Sequence, residues 1–300
     1  MAKRTSRVRS MNEVLGMIGD GDTIGIGGFV TTNKPWALLR ALMRARKKDL
    51  TVVASPSGLE IDLMIAIGLI KTLTTPYVGA EAIAPLGPIY SKQAGKTFAI
   101  EEIDVMTLTT MLRARIQALP FIPAWGPVGT SLMELNSKLR WVEDPFGGPP
   151  LAAVPPVKID VAIIHACQAD KYGNVQYLGP CFLDNMLAQA ADKVIVQVEK
   201  IVSNEEIRRN PLATTIPCQQ VTAVVQAPFG AHPSASQNYY RLDEVHYREY
   251  LKASKAFVGG DETVLKGYIA RYVDQPEDLA DYLEVVGMKQ ILNLGLEEVE

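Results

Sequence analysis

Two runs constrain this chain more than any others: "DVAIIHACQAD" at 160–170 and "DKVIVQVEKIV" at 192–202. Both are nearly continuous in apolar and β-branched residues. A strand with one wet face alternates polar and apolar positions. A strand without that alternation is covered on both faces, as in a parallel sheet between layers of helices. Between them "DNMLAQAA" at 184–191 reads as a helix with Asp184 as a possible N-cap, which makes the stretch a strand–helix–strand unit.

The same alternation recurs along the chain. "DTIGIGGF" at 22–29, "LTVVAS" at 50–55, "IKTLTTPYVG" at 70–79 and "VTAVVQAPFG" at 221–230 read as strands. "KPWALLRALMRARKKD" at 34–49, "GLEIDLMIAIG" at 58–68 and "TLTTMLRARIQAL" at 107–119 read as helices. The first of these gathers Arg44, Arg46, Lys47 and Lys48 at its end, where the helix dipole favours cations. The expected fold class is therefore α/β: an open, mostly parallel sheet flanked by helices, with right-handed crossovers. Such sheets bind ligands beyond the carboxyl ends of their strands, which brings the glycine stretch, "ASPSG" at 54–58 and "APFGAHPS" at 227–234 to one rim.

Residues 1–10 form a basic tail carrying Lys3, Arg4, Arg7 and Arg9, expected to fray or lie on the surface. Residues 11–300 read as a single domain. Within it, 119–156 is rich in Pro and Gly but too apolar for a solvated linker, so it is expected to be irregular, packed chain forming a lid or a partner surface. "DEVHYREYLKASK", "DETVLKGYIARYV" and "PEDLADYLEVVG" make a helical C-terminal part. A formal net charge of -3 supplies no field for nucleic acid or an anionic membrane. No apolar run is long enough to span a bilayer, and the basic tail is not followed by the apolar core of a signal peptide. Cys167, Cys181 and Cys218 lack metal-ligand spacing and read as small buried hydrophobes, which suits a cytoplasmic location.

The candidate sites divide by residue type. Gly25 and Gly27 give G-x-G, but Val30 stands where a dinucleotide fingerprint needs its third glycine, and the G-K-[ST] of a phosphate loop is absent. Gly27 and Gly28 at a strand end are either a tight turn without a ligand or a place where backbone amides approach a developing negative charge. His165 reads as a core residue and His246 as solvated; His232 lies in a strand-end loop, where function is more plausible, but without a partner it too reads as structural. No metal site is expected. Glu101, Glu102 and Asp104, and likewise Glu60 and Asp62, read either as acids at helix N-termini or as functional carboxylates.

Several of these segments together resemble one family. "DGDTIGIGGFVTTNKP" at 20–35 is similar to the signature of family I coenzyme A transferases, with Asp20, Gly21, Gly27, Gly28, Phe29 and Pro35 matching. Gly25 departs from a usual apolar residue and Asn33 from a usual glycine. "EEIDVMTLTTMLRARIQALPFIP", "DVAIIHACQADKYGNVQ", "DKVIVQVEKIV" and "APFGAHPS" resemble the α (A) subunit of the glutaconate CoA-transferase branch, from about residue 11 to about 250. The resemblance implies an enzyme acting with a β subunit on an acyl-CoA and a small carboxylic acid. It implies no permanently bound cofactor, the coenzyme A thioester being substrate. The nucleophilic glutamate is expected on the β subunit, because "VSNEE" at 202–206 is a poor match to its motif. Gly27, Gly28 and Phe29 are expected to form the oxyanion and thioester loop. A related branch hydrolyses CoA esters and opens a steroid ring; the resemblance there points to Glu102, or alternatively Glu101, as general base. A non-catalytic acyl-CoA-binding subunit is the third expectation.

Overall fold

The structure, a computed structural model, describes residues 5–295. Lys3 and Arg4 of the basic tail and the last five residues lie outside the described residues. The main sheet uses β1 (Thr23–Ile26), β2 (Leu50–Ala54), β3 (Ile70–Thr74), β4 (Ala99–Ile100) and, after an excursion, the strands that follow residue 160. That excursion holds β5 (Ile122–Ala124), β6 (Arg140–Val142) and β7 (Leu151–Val154). Then come β8 (Val161–Asp170), β9 (Val175–Gln176), β10 (Lys193–Val202), β11 (Thr214–Ile216) and β12 (Ala223–Gln226). The parallel strands lie in the order β4-β3-β2-β1-β8-β10-β12; β9 and β11 add antiparallel pairs beside the far half of β8.

The two apolar runs are the centre of this sheet. β8 and β10 pair in parallel from Val161 opposite Lys193 to Asp170 opposite Val202. Val161 through Cys167 are all buried, as strands covered on both faces must be. Helices α1 (Met11–Leu15), α2 (Trp36–Arg44), α3 (Leu59–Ile67) and α4 (Pro88–Gln93) precede α5 (Val105–Ile116), and a short α6 (Leu132–Leu135) lies in the excursion. The crossover α7 (Asp184–Ala190) and α8 (Asn204–Arg209) complete the sheet layers. The C-terminal helices are α9 (Glu244–Val258), α10 (Glu262–Ile269) with a π-helical turn over Ala270–Asp274, α11 (Leu279–Val286) and α12 (Met288–Leu292).

The structure corrects several local expectations. Residues 7–9 do not fray: Arg7 and Arg9 exchange backbone hydrogen bonds with Val224, adding a rung to the β12 edge. The segment 119–156 contains a small antiparallel sheet, β5-β7-β6, in which "LAAV" at 151–154 is the central strand, its backbone paired along both edges and Ala152 and Val154 buried on one face. His246 is buried rather than solvated, since α9 packs that face against Tyr268, Tyr272 and Tyr282. Cys167 is buried, but Cys181 and Cys218 are half-buried. Among the described residues, no helix is long and apolar enough to cross a membrane.

Candidate functional site

The glycine stretch leaves the sheet at the carboxyl end of β1. The Gly27 amide still donates to the Ile163 carbonyl at 2.9 Å, so the ladder to β8 runs one residue past the strand. Gly28 then takes φ +78°. Phe29 and Thr32 exchange two backbone hydrogen bonds, at 2.9 and 2.8 Å, closing a hairpin through Val30 and Thr31. Asn33 sits at φ +52°, a left-handed conformation that Asn tolerates better than other side chains. That accounts for asparagine where the resembling family has glycine.

This hairpin is laced to its neighbours on the rim. Val30 donates to the Pro56 carbonyl of the "ASPSG" turn at 2.8 Å. Asn33 donates to Ala235, and Ala235 back to Thr31, each at 2.8 Å. The three loops expected at one rim therefore meet there.

Below the hairpin lies a dry set of charges. Lys34 is fully buried; its Nζ donates to the carbonyls of Gly27 and Gly28 at 3.3 Å and pairs with Glu60 Oε1 at 3.2 Å. Ser55 Oγ donates to the same Gly28 carbonyl. Glu60 also accepts from the Gly58 amide at 2.9 Å, while its Oε2 is buried without a partner. Glu60 is thus no surface acid meeting a helix dipole: α3 is buried from Leu59 to Ile65. Asp62, also inside, accepts from the Tyr90 amide and the Tyr250 hydroxyl.

Asp184 does not cap α7. Its Oδ1 accepts the Gly28 amide at 2.8 Å, and its Oδ2 accepts the Tyr177 hydroxyl at 2.7 Å. A Cβ at residue 27 would lie 2.9 Å from that Oδ1, so only glycine admits the carboxylate there. The amides expected to face an oxyanion have partners within the chain. All three amides of the loop are already engaged: Gly27 with Ile163, Gly28 with Asp184 and Phe29 with Thr32. Each N–H has a single hydrogen, so none is spare in this arrangement. What the loop does expose is an aromatic lip, where Phe29 stacks on the exposed Phe182 at 4.6 Å.

Burial pushes Asp184 up to about 6 from 3.8, against the hydrogen bonds from Tyr177 and Gly28 and the charges of Lys34 and His165. Asp62 is raised to about 6 by the same cause. A raised carboxyl binds more protons folded than unfolded, so its contribution to stability falls as pH rises from about 4 to about 6. Asp184→Asn keeps an acceptor for Gly28 and removes that titration. Between pH 4 and pH 6 the urea midpoint of the variant should rise more, or fall less, than that of the parent, while Asp62 and, in the opposite sense, His232 and His246 titrate alike in both. Equal differences would contradict the assignment.

The acids at the sheet edge separate cleanly. Glu101 is engaged, accepting from Thr74 Oγ1 at 2.7 Å and pairing with Lys138 at 2.6 Å. The Glu102 side chain is exposed, and its charge adds to the rise that burial gives Tyr90. Asp104 caps α5 through the amides of Met106 and Thr107, a helix-terminal role. Glu101 and Glu102 follow β4, and β4 lies three strand positions from β1. At about 4.8 Å per strand spacing that is roughly 14 Å. The loop and these acids therefore share the rim without touching.

The histidines form two buried networks. His165 meets Glu199 at 2.9 Å, Ser236 at 3.1 Å and Gln197 at 2.7 Å. His232 bridges Asp243 at 2.9 Å and Tyr282 at 2.7 Å, a structural role. Sequence reasoning missed Lys34, Asp184 and Tyr177. Lys34 had a usable signal, a lysine between a strand-end loop and a buried helix; Asp184 had none, lying 156 positions from its Gly28 partner.

The coenzyme A transferase family profile matches residues 8–227. The α (A) subunit of glutaconate CoA-transferase from Acidaminococcus fermentans is 32% identical over 96% of this chain and 94% of that protein. The cholesterol ring-cleaving hydrolase IpdA subunit of Rhodococcus jostii is 31% identical over 95% of this chain and 97% of that protein. An uncharacterised protein of Archaeoglobus fulgidus is 34% identical over 91% of this chain, which spans only 60% of that protein's length. The crystal structure of the Acidaminococcus fermentans glutaconate coenzyme A-transferase superposes with a TM-score of 0.91 at 30% identity, covering 98% of this chain and 96% of that one. On the profile match and on near full-length similarity alike, the chain belongs to the coenzyme A transferase family.

Proposed function

We propose that this chain is the α subunit of a heteromeric CoA-transferase that moves CoA from an acyl-CoA to a small carboxylic acid. A β subunit supplies the nucleophilic glutamate. One observation carries the need for a partner: the carboxylates beneath the loop, Asp184 and Glu60, are buried and already hold the Gly28 amide or Lys34. Neither can leave to attack a thioester. The partner's glutamate attacks the acyl-CoA carbonyl to give a mixed anhydride and CoA thiolate. The thiolate then attacks the anhydride on the glutamyl side, giving an enzyme thioester and releasing the acid. The second acid reverses the sequence and leaves with CoA.

This chain contributes the other wall of the site. Gly27 and Gly28 present backbone without side chains, and Phe29 with Phe182 gives an apolar lip against which the acyl-CoA lies. The three cysteines are unpaired, in keeping with a cytoplasmic setting.

The exposed Glu102 supports a second reading, hydrolysis with Glu102 as base on water, as does the similarity to a ring-cleaving hydrolase subunit. Assay of the two-chain complex separates the two. With Glu102→Gln, transfer from acyl-CoA to an added carboxylate should stay within about tenfold of the parent, whereas loss of a general base costs about 10²–10⁴. A loss of that size confined to hydrolysis would favour the second reading. No turnover of either kind would leave only a binding role.

A further inference from the structure

Of the two arginines on α2, neither used by the site, Arg40 is the buried one. Its side chain is 6% exposed. Nη1 donates to the His232 carbonyl at 2.9 Å, and the guanidinium lies 3.5 Å over the Tyr282 ring. Nη2 is shielded from water and has no hydrogen-bond partner. Among the described residues Arg40 has no carboxylate partner. A buried guanidinium without a counter-charge is costly, and an anion held near it in an adjoining cavity offsets that cost through its charge.

Arg40 lines a cavity of about 490 Å³. Arg9 and Arg44 line it too, and neither is ion-paired among the described residues; Arg44 donates only to the Pro276 carbonyl. Glu277 and Asp278 also contribute, and Asp278 Oδ1 is committed to the first turn of α11. Three cations against two acids leave one net positive charge, which fits a monoanion better than a phosphate dianion. Ile201, Val225 and Leu279 make part of the wall apolar, which fits a hydrocarbon body. The cavity shares no residue with the loop from Gly27 to Asn33.

We propose that this cavity is a second binding site, for a small amphiphilic carboxylate whose head meets Arg44 within the field of the buried Arg40 charge and whose apolar body lies along Ile201 and Val225. The site is connected to the acyl-transfer loop. Arg40 holds the His232 carbonyl, and Ala235, a short way along the same segment, is hydrogen-bonded in both directions to Thr31 and Asn33 of the hairpin.

Calorimetric titration of the two-chain complex with octanoate, 1-octanol and inorganic phosphate tests it. Octanoate should bind saturably at this site, once per copy of this chain, and at least tenfold more tightly than octanol or phosphate. Arg44→Gln removes one head-group contact. Ala280→Trp, at an exposed position lining the cavity, fills it without disturbing the core. Each variant should weaken octanoate at least tenfold while transferase turnover stays at the parent level. Absence of saturable octanoate binding, equal affinity for octanol or phosphate, or octanoate affinity unchanged in Ala280→Trp would overturn the proposal. The last result would assign any bound octanoate to the acyl-transfer site instead.

Discussion

Gly28→Ala is expected to lower turnover of the two-chain enzyme by about 100-fold or more, the scale at which a displacement near 1 Å misaligns reacting groups. The reason is backbone. Residue 28 takes φ +78°, and a Cβ there would lie 2.4 Å from the Asn33 carbonyl oxygen and 2.7 Å from that of Thr32. Neither neighbour is the end of a flexible side chain, so the hairpin itself must move. Moving it breaks the Gly28–Asp184 hydrogen bond and the lacing to Pro56 and Ala235. Global stability should fall much less than activity, because the sheet beneath does not depend on the hairpin. Steady-state kinetics beside a urea melt read both quantities, and turnover within a factor of a few of the parent would contradict the geometry.

Lys34→Met should be the most destabilising single change at the rim. It leaves Glu60 buried with one oxygen already unpartnered and releases the carbonyls of Gly27 and Gly28. Breaking one side of a buried ion pair costs about 3–5 kcal/mol. Lys34→Met with Glu60→Gln removes the stranded charge and should recover a large part of that loss, since the glutamine can still accept from Gly58. Denaturant midpoints of the parent, both single variants and the double variant give the coupling directly. A single variant within about 1 kcal/mol of the parent would mean that the pair is worth no more than a surface one.

The sheet was legible because its signal is local and repeated. β8 and β10 lack polar alternation, and their pairing along ten-residue strands is what that lack requires. The rim was legible by the same logic, since parallel strands put their carboxyl ends together. The charges under the rim were not. Lys34, Glu60 and Asp184 come from separate loops and helices, and an acid at a helix start looks the same whether it caps the helix or reaches into another loop. His246 misled for a related reason: α9 carries enough charge to look solvated, yet its inner face meets three tyrosines from later helices. The loop amides are a different case. The glycines marked a close backbone approach correctly, but the group that approaches is the protein's own carboxylate.

The central claim is that this chain frames a reaction whose nucleophile sits on its partner. Intact mass measurement of both chains after incubating the complex with acyl-CoA tests it most directly. The partner chain should gain the mass of one CoA less water, the thioester of its glutamate, and this chain should gain nothing. Turnover with neither chain modified, or the CoA adduct on this chain, would contradict the account.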